Sequence, residues 1–120
     1  MYFFDTYALS EMILGNKSYD KYKNEIINTS TLNIAEFYYF LLRNYDKKTA
    51  DYLVKKLDFR LMSIIRLEIA LKASELKFKN KKEKLSYVDC IGYELANVLN
   101  MVFLTGDNKF ENKPNVEFVK

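Results

Sequence analysis

The chain opens on a short apolar run, residues 1–4, that breaks at once on Asp5. A run of this length with a polar stop predicts a buried strand. Residues 6–14 follow as a helix, closed by Gly15-Asn16 as a C-terminal cap. Residues 19–24 read as a second short helix or loop, and residues 26–29 as a strand. Ser30 and Thr31 then offer N-caps to a helix over 32–43, whose Ile34, Phe37, Tyr38, Phe40, Leu41 and Leu42 leave it apolar over most of its surface. Much of that helix is expected to be buried or held in an interface. Residues 47–57 pattern as an amphipathic helix, 59–63 fit strand or loop, and 65–79 form a long helix. Beyond a basic connector at 80–84, Ser86 opens a helix to about residue 100. Residues 101–105 make a strand that ends at Gly106-Asp107, and 116–119, beyond Pro114, make the last one. Strands alternating with helices predict an α/β fold, a sandwich around a mostly parallel central sheet, in one domain over residues 1–120.

Composition adds limits to this picture. With 49% hydrophobic residues, three glycines and one proline in 120 residues, nothing reads as disordered. No apolar stretch approaches a membrane span, so no membrane contact is expected. The N-terminus meets an acid immediately and lacks a basic leader, so no signal peptide is expected. Cys90 is alone, which excludes an internal disulfide and suits a reducing cytoplasm. The formal charge is +3, and its excess is uneven: Lys72, Lys77, Lys79, Lys81, Lys82 and Lys84 fall together, broken by Glu75 and Glu83. Such a segment attracts a phosphate-rich partner, and it equally fits a solvated helix end.

The absence of histidine, with a single cysteine, decides more. It excludes a Ser-His-Asp triad, a Cys-His pair, a histidine-bound zinc and a CxxC redox pair. Oxygen-ligand chemistry remains: carboxylates gathering a hard cation such as Mg²⁺ or Mn²⁺. Four acids stand in telling places. Asp5 follows the first strand, and Asp107 follows the strand at 101–105 across one glycine. Ligands of open α/β sheets bind outside the carboxyl ends of strands, so the two face one crevice if their strands are neighbours. Each alone also fits a turn or capping aspartate. Glu36 lies in the first turn or so of the apolar helix, where Ile34, Ala35, Phe37 and Tyr38 leave little polar face, and an unpartnered carboxylate there is costly. Arg43, seven residues on, shares its face. Asp89 forms a capping box with Ser86, a role that still delivers the acid to wherever the helix points. Gathered together, the four would repel, and a divalent cation relieves that repulsion. Phosphodiester hydrolysis is the natural chemistry of such a site.

These residues, in this order, resemble the PIN-domain ribonucleases, specifically the VapC-like toxins of type II toxin–antitoxin modules. The likeness spans nearly the whole chain. Its best part is Leu85-Ser86-Tyr87-Val88-Asp89, then Ala96, then Val102-Phe103-Leu104-Thr105-Gly106-Asp107, Phe110, and Val116-Glu117-Phe118-Val119. Phe4-Asp5-Thr6 with Leu9 matches the family's start, and Asn33-Ile34-Ala35-Glu36 with Leu41 its internal helix. The resemblance implies a three-layer α/β/α fold and a Mg²⁺- or Mn²⁺-dependent endoribonuclease with Asp5, Glu36, Asp89 and Asp107 as its metal-site acids. It implies supporting hydroxyls at Thr6 and Thr105, and water attacking RNA phosphorus to leave a 5′-phosphate and a 3′-hydroxyl. A homodimer and a neutralising antitoxin partner are also implied. Arg43, Lys79, Lys81, Lys82 and Lys84 are the expected RNA contacts. Tyr7 departs from the pattern where a small polar residue is frequent, as does Asn108 where a basic one is common. The rival readings are a PIN nuclease that processes RNA outside any toxin module, and a non-catalytic module that binds protein through the aromatic helix at 37–40.

Overall fold

In the computed structural model, which describes residues 1–62 and 66–120, five strands form a single sheet. They are β1 (Tyr2–Phe4), β2 (Ile27–Ser30), β3 (Phe59–Met62), β4 (Val102–Thr105) and β5 (Val116–Phe118), in the order β3-β2-β1-β4-β5. Every pairing among them is parallel, so the expected sheet is parallel throughout its described strands. Five α-helices connect them: α1 (Thr6–Leu14), α2 (Thr31–Asn44), α3 (Lys47–Lys56), α4 (Leu67–Lys79) and α5 (Tyr87–Val98).

Local chemistry accounts for most boundaries. Gly15 closes α1 in the left-handed region at φ 77°, its N–H returning to the Glu11 and Met12 carbonyls. The Ser30 hydroxyl caps α2. Asp46 caps α3, which stops at Lys56, one residue short of expectation, because Leu57 turns extended. The expected start of α4 at Ile65, and Ser63 of the ambiguous segment, lie outside the described residues; β3 itself is a strand to Met62. The helix expected to reach about residue 100 ends at Val98, and Asn100 turns left-handed at φ 55° to enter β4. Residues 17–22 and 81–83 wind as short 3₁₀ turns.

Successive side chains of a strand face opposite sides of a sheet, and the register sorts the core accordingly. Phe3 aligns with Phe103, and Phe4 with Leu104. Phe3 and Phe103 point to one layer and pack with Ile69 and Ala73 of α4 and with Cys90, Tyr93 and Ala96 of α5. Phe4 and Leu104 point to the other, among Ala8 and Leu9 of α1, Phe37 and Leu41 of α2 and Ala50 of α3. The result is the three-layer α/β/α arrangement. The chain winds from β1 outward through β2 to β3, then crosses back to place β4 on the other flank of β1. The winding therefore reverses between β1 and β4. In open parallel sheets, the carboxyl end of such a reversal opens a crevice.

Candidate active site

Asp5 leaves β1 and Thr105 ends β4, so the direct β1–β4 pairing sets the two side by side at that crevice. Asp5 occupies the N-cap position of α1, yet its carboxylate makes no capping bond to the helix. Its oxygens are held from elsewhere. Thr105 Oγ1 donates to Asp5 Oδ2 at 2.8 Å, and Asn33 Nδ2 donates to Asp5 Oδ1 at 3.3 Å. The carboxylate is 2% exposed and joins no salt bridge among the described residues. Burial, then the negative charge of Asp89 and to a smaller degree of Glu36, pushes its carboxyl up to about 7, against the opposing hydrogen bonds from Thr105 and the Thr6 backbone.

The remaining acids arrive on separate elements. Asp107 donates its backbone N–H to Thr105 Oγ1 at 3.1 Å and accepts the Lys109 N–H on its carboxylate at 3.0 Å. Gly106, between Thr105 and Asp107, has no room for a side chain, since a Cβ there would stand 2.3 Å from both the Tyr7 ring and the Val119 carbonyl. Asp89 completes the expected capping box: its carboxylate accepts the Ser86 N–H at 2.9 Å while Ser86 Oγ accepts the Asp89 N–H at 3.0 Å. Glu36 lies beyond the first turn of α2, which contains no acid, so complementing the helix dipole is not its task. It accepts a hydrogen bond from Thr6 Oγ1 at 2.8 Å. Burial and the charge of Asp89 raise its carboxyl above the ordinary range despite that bond.

Asp5, Asp89 and Asp107 line one cavity of about 340 Å³ with Thr6, Tyr7 and Phe40. Glu36 and Arg43 line a second, of about 510 Å³, and Thr6 and Phe40 border both. The structure thus brings three of the predicted acids to one hollow and sets the fourth across the Thr6 hydroxyl from it. Among the described residues, no three His, Cys, Asp or Glu side chains stand close enough to hold an ion unaided. An ion held there would have to keep several waters and take only one or two carboxylates from the protein, the manner in which Mg²⁺ is commonly bound. The all-oxygen donor set and the charge repulsion felt by a buried Asp5 also fit such an ion.

The predicted cations are more scattered. Arg43 stands 5.8 Å from the Tyr39 ring centre, exposed at the rim of the Glu36 cavity. Lys81 and Lys84 line a separate cleft with Lys77, Phe78 and Tyr87, away from the acids. Lys79 ends α4 and Lys82 sits in the 3₁₀ turn, both exposed. Sequence reasoning missed two nearer lysines. Lys109 follows the unmatched Asn108 and donates to the Lys84 carbonyl at 3.2 Å, and Lys120 donates to the Gly106 carbonyl at 3.2 Å while lying over the Tyr7 ring. It named Asn33 only within the family match and assigned it no role, although an amide stands there three residues after a serine N-cap and three before Glu36. A further cavity at the amino ends of β2 and β3 is lined by Lys23, Glu25, Lys56, Asp58 and Arg60, whose mixed signs favour neither a cation nor a phosphate.

Comparison with known proteins agrees with this fold. A family model described as PIN domain matches residues 2–116. Among solved structures, VapC20 of Mycobacterium tuberculosis, a sarcin-ricin loop cleaving toxin, superposes with a TM-score of 0.80 at 16% identity, covering 100% of both chains. VapBC2 from Rickettsia felis, bound to a promoter DNA fragment, gives 0.74 at 22% identity over 99% of this chain and 98% of that one. A toxin–antitoxin complex from Klebsiella pneumoniae gives 0.73 at 17% identity over 98% and 96%. A search of curated proteins finds no match.

Proposed function

The chain belongs to the PIN-domain family, and from that premise we propose that it is a divalent-metal-dependent endoribonuclease of the VapC toxin type, restrained by a cognate antitoxin. The observation that carries this reading is the single hollow at the β1–β4 reversal, lined by Asp5, Asp89 and Asp107, with the Thr105 hydroxyl joining the Asp5 carboxylate to the Asp107 backbone. Asp5 and Asp107 would hold the ion most directly, with Asp89 and Glu36 completing the set. When bound, Mg²⁺ or Mn²⁺ supplies positive charge for the phosphate under attack and makes a neighbouring water more acidic.

The chain's own residues do the rest. Thr105 fixes Asp5 and the backbone of Asp107 with one hydroxyl, so the two acids keep their spacing. Glu36, held by the Thr6 hydroxyl, would accept a proton from the attacking water, a duty that falls to a carboxylate in a chain without histidine. Arg43 at the neighbouring rim would supply charge for the RNA backbone, and Lys81 and Lys84, in a cleft apart from the acids, would add charge for a longer strand. The structural neighbours that are toxin–antitoxin assemblies support an antitoxin partner for this chain too. A homodimer is supported by the outward face of α4, where Leu67, Leu71 and Phe78 are 75%, 56% and 71% exposed.

Incubation of the full chain with single-stranded RNA tests the reading. Cleavage is expected with Mn²⁺ or Mg²⁺, to vanish with a chelator, to leave 5′-phosphate and 3′-hydroxyl ends, and to fall by at least about 10²-fold in Asp107→Asn. Cleavage indifferent to the chelator or to Asp107→Asn would refute it.

A further inference from the structure

We propose that Asn33 is a positioning residue for the acid cluster: one side-chain amide, aimed by Ser30, holds Asp5 and Thr6 together and thereby fixes Glu36 relative to Asp5. Its consequence for metal binding rests on the nuclease reading above, while its substance is geometric. Asn33 has no exposed surface. Its backbone N–H donates to Ser30 Oγ at 3.1 Å, and the Ser30 hydroxyl donates in turn to Asn33 Oδ1 at 2.6 Å. The cap that starts α2 therefore also decides which way the amide faces.

With Oδ1 engaged, Nδ2 faces Asp5 Oδ1 at 3.3 Å and Thr6 Oγ1 at 3.0 Å. The reverse orientation would set a carbonyl oxygen against a carboxylate, which when ionised only accepts. The Thr6 hydroxyl has a single proton. Because it accepts from Asn33, that proton goes to Glu36 Oε1, 2.8 Å away. Donation thus runs from Ser30 to Asn33, from Asn33 to Asp5 and Thr6, and from Thr6 to Glu36. Among the described residues, Asn33 alone bonds through its side chain to both the Asp5 carboxylate and the Thr6 hydroxyl. A serine or threonine would bring one proton to this point and a leucine none, whereas the amide brings two on one rigid plane.

The helix that carries the third acid passes behind the amide. A Cβ on Gly92 of α5 would stand 3.2 Å from the Phe3 ring, a tight approach, and 3.5 Å from Asn33 Oδ1, an ordinary contact. Asp89 rides on that helix one turn earlier.

Titration of the full chain with Mn²⁺ by calorimetry, alongside steady-state cleavage of single-stranded RNA, tests the assignment. Partners of metal-holding groups cost about 10- to 100-fold in affinity or activity when lost. Asn33→Leu is therefore expected to fold, as read by far-UV circular dichroism, to lose at least about tenfold in Mn²⁺ affinity, and to lose kcat with KM for RNA unchanged. Asn33→Ser, which keeps one donor, should recover part of both, and Ser30→Ala should move both in the same direction by less. A folded Asn33→Leu that binds Mn²⁺ and turns over like wild type overturns the proposal, as does a change confined to KM. If Asn33→Leu does not fold, Asn33→Ser and Ser30→Ala carry the same comparison. A wild-type chain that takes up Mn²⁺ but cleaves no RNA sinks the nuclease reading and leaves the affinities to decide this one. Wild type that takes up no Mn²⁺ overturns both.

Discussion

Asp5 concentrates the physical tension of the molecule in one carboxylate. It is buried among like charges, and hydrogen bonds from Thr105 and Asn33 soften that environment without neutralising it. Its carboxyl titrates near 7, well above an unfolded aspartate, so between about pH 4 and 7 the folded chain holds a proton that the unfolded chain has released. Stability from this group is thus fully present below the unfolded value and is lost as pH rises through about 7. In metal-free protein, Asp5→Asn should abolish cleavage while leaving the melting temperature equal or higher at pH 8. The gap between variant and wild type should close as pH falls toward 4; thermal melts across that range with a chelator present check it. A large loss of stability in Asp5→Asn would mark the residue as structural instead. Gly106 is a second single-residue constraint. In Gly106→Ala the new methyl meets the Val119 carbonyl and the Tyr7 ring, and a cost of about 1–3 kcal/mol is expected from urea unfolding, with activity lost through displacement of Asp107.

Among the elements, α5 shows how one device serves two ends. Its N-terminal box is reciprocal, so the bonds that satisfy the helix end also hold Asp89. Ser86→Ala should lower stability by about 1 kcal/mol, a typical cap loss, and should reduce cleavage by more than the unfolded fraction explains, measured where the variant remains folded. The same helix shows what was legible beforehand. Ser86-x-x-Asp89 announced its start, and Gly15 and Ser30 announced the end of α1 and the start of α2, because caps are local chemistry written in adjacent residues. The 3₁₀ turn at 17–22 overlaps the short helix or loop expected at 19–24, whereas the one at 81–83 falls where only a connector is expected, since no periodicity distinguishes three residues of helix from a bend. The role of Asn33, as distinct from its place in the family match, escaped notice for a related reason: its partners Asp5 and Thr6 lie 28 and 27 residues away, and nothing near it in the chain predicts them.

For the molecule as a whole, the parallel α/β sandwich could be read from alternating strands and helices, and Asp5 and Asp107 could be read as lying after strands. That β1 and β4 are neighbours could not, because strand order is settled by how layers pack over the entire chain. The decision to place Asp5 beside Thr105 therefore belongs to the tertiary fold. So does the outward apolar face of α4, which runs directly opposite the buried Ile69 and Ala73. If a second copy covers it, Leu71→Glu should convert a dimer to a monomer in sedimentation equilibrium without lowering the melting temperature of the monomer.

The bond between Thr105 and Asp5 joins residues 100 positions apart. During synthesis at roughly 5–20 residues per second, the first acid exists for several seconds before the hydroxyl that holds it has been made. Strand β4, which must slot beside β1 to complete the hollow, is the fourth of five to emerge. An emerging chain consequently lacks the complete hollow until β4 is available to fold. The order of strands in the sheet sets a delay before the acid-lined hollow can form, and under the proposed function a partner protein already present would have that interval to meet the chain.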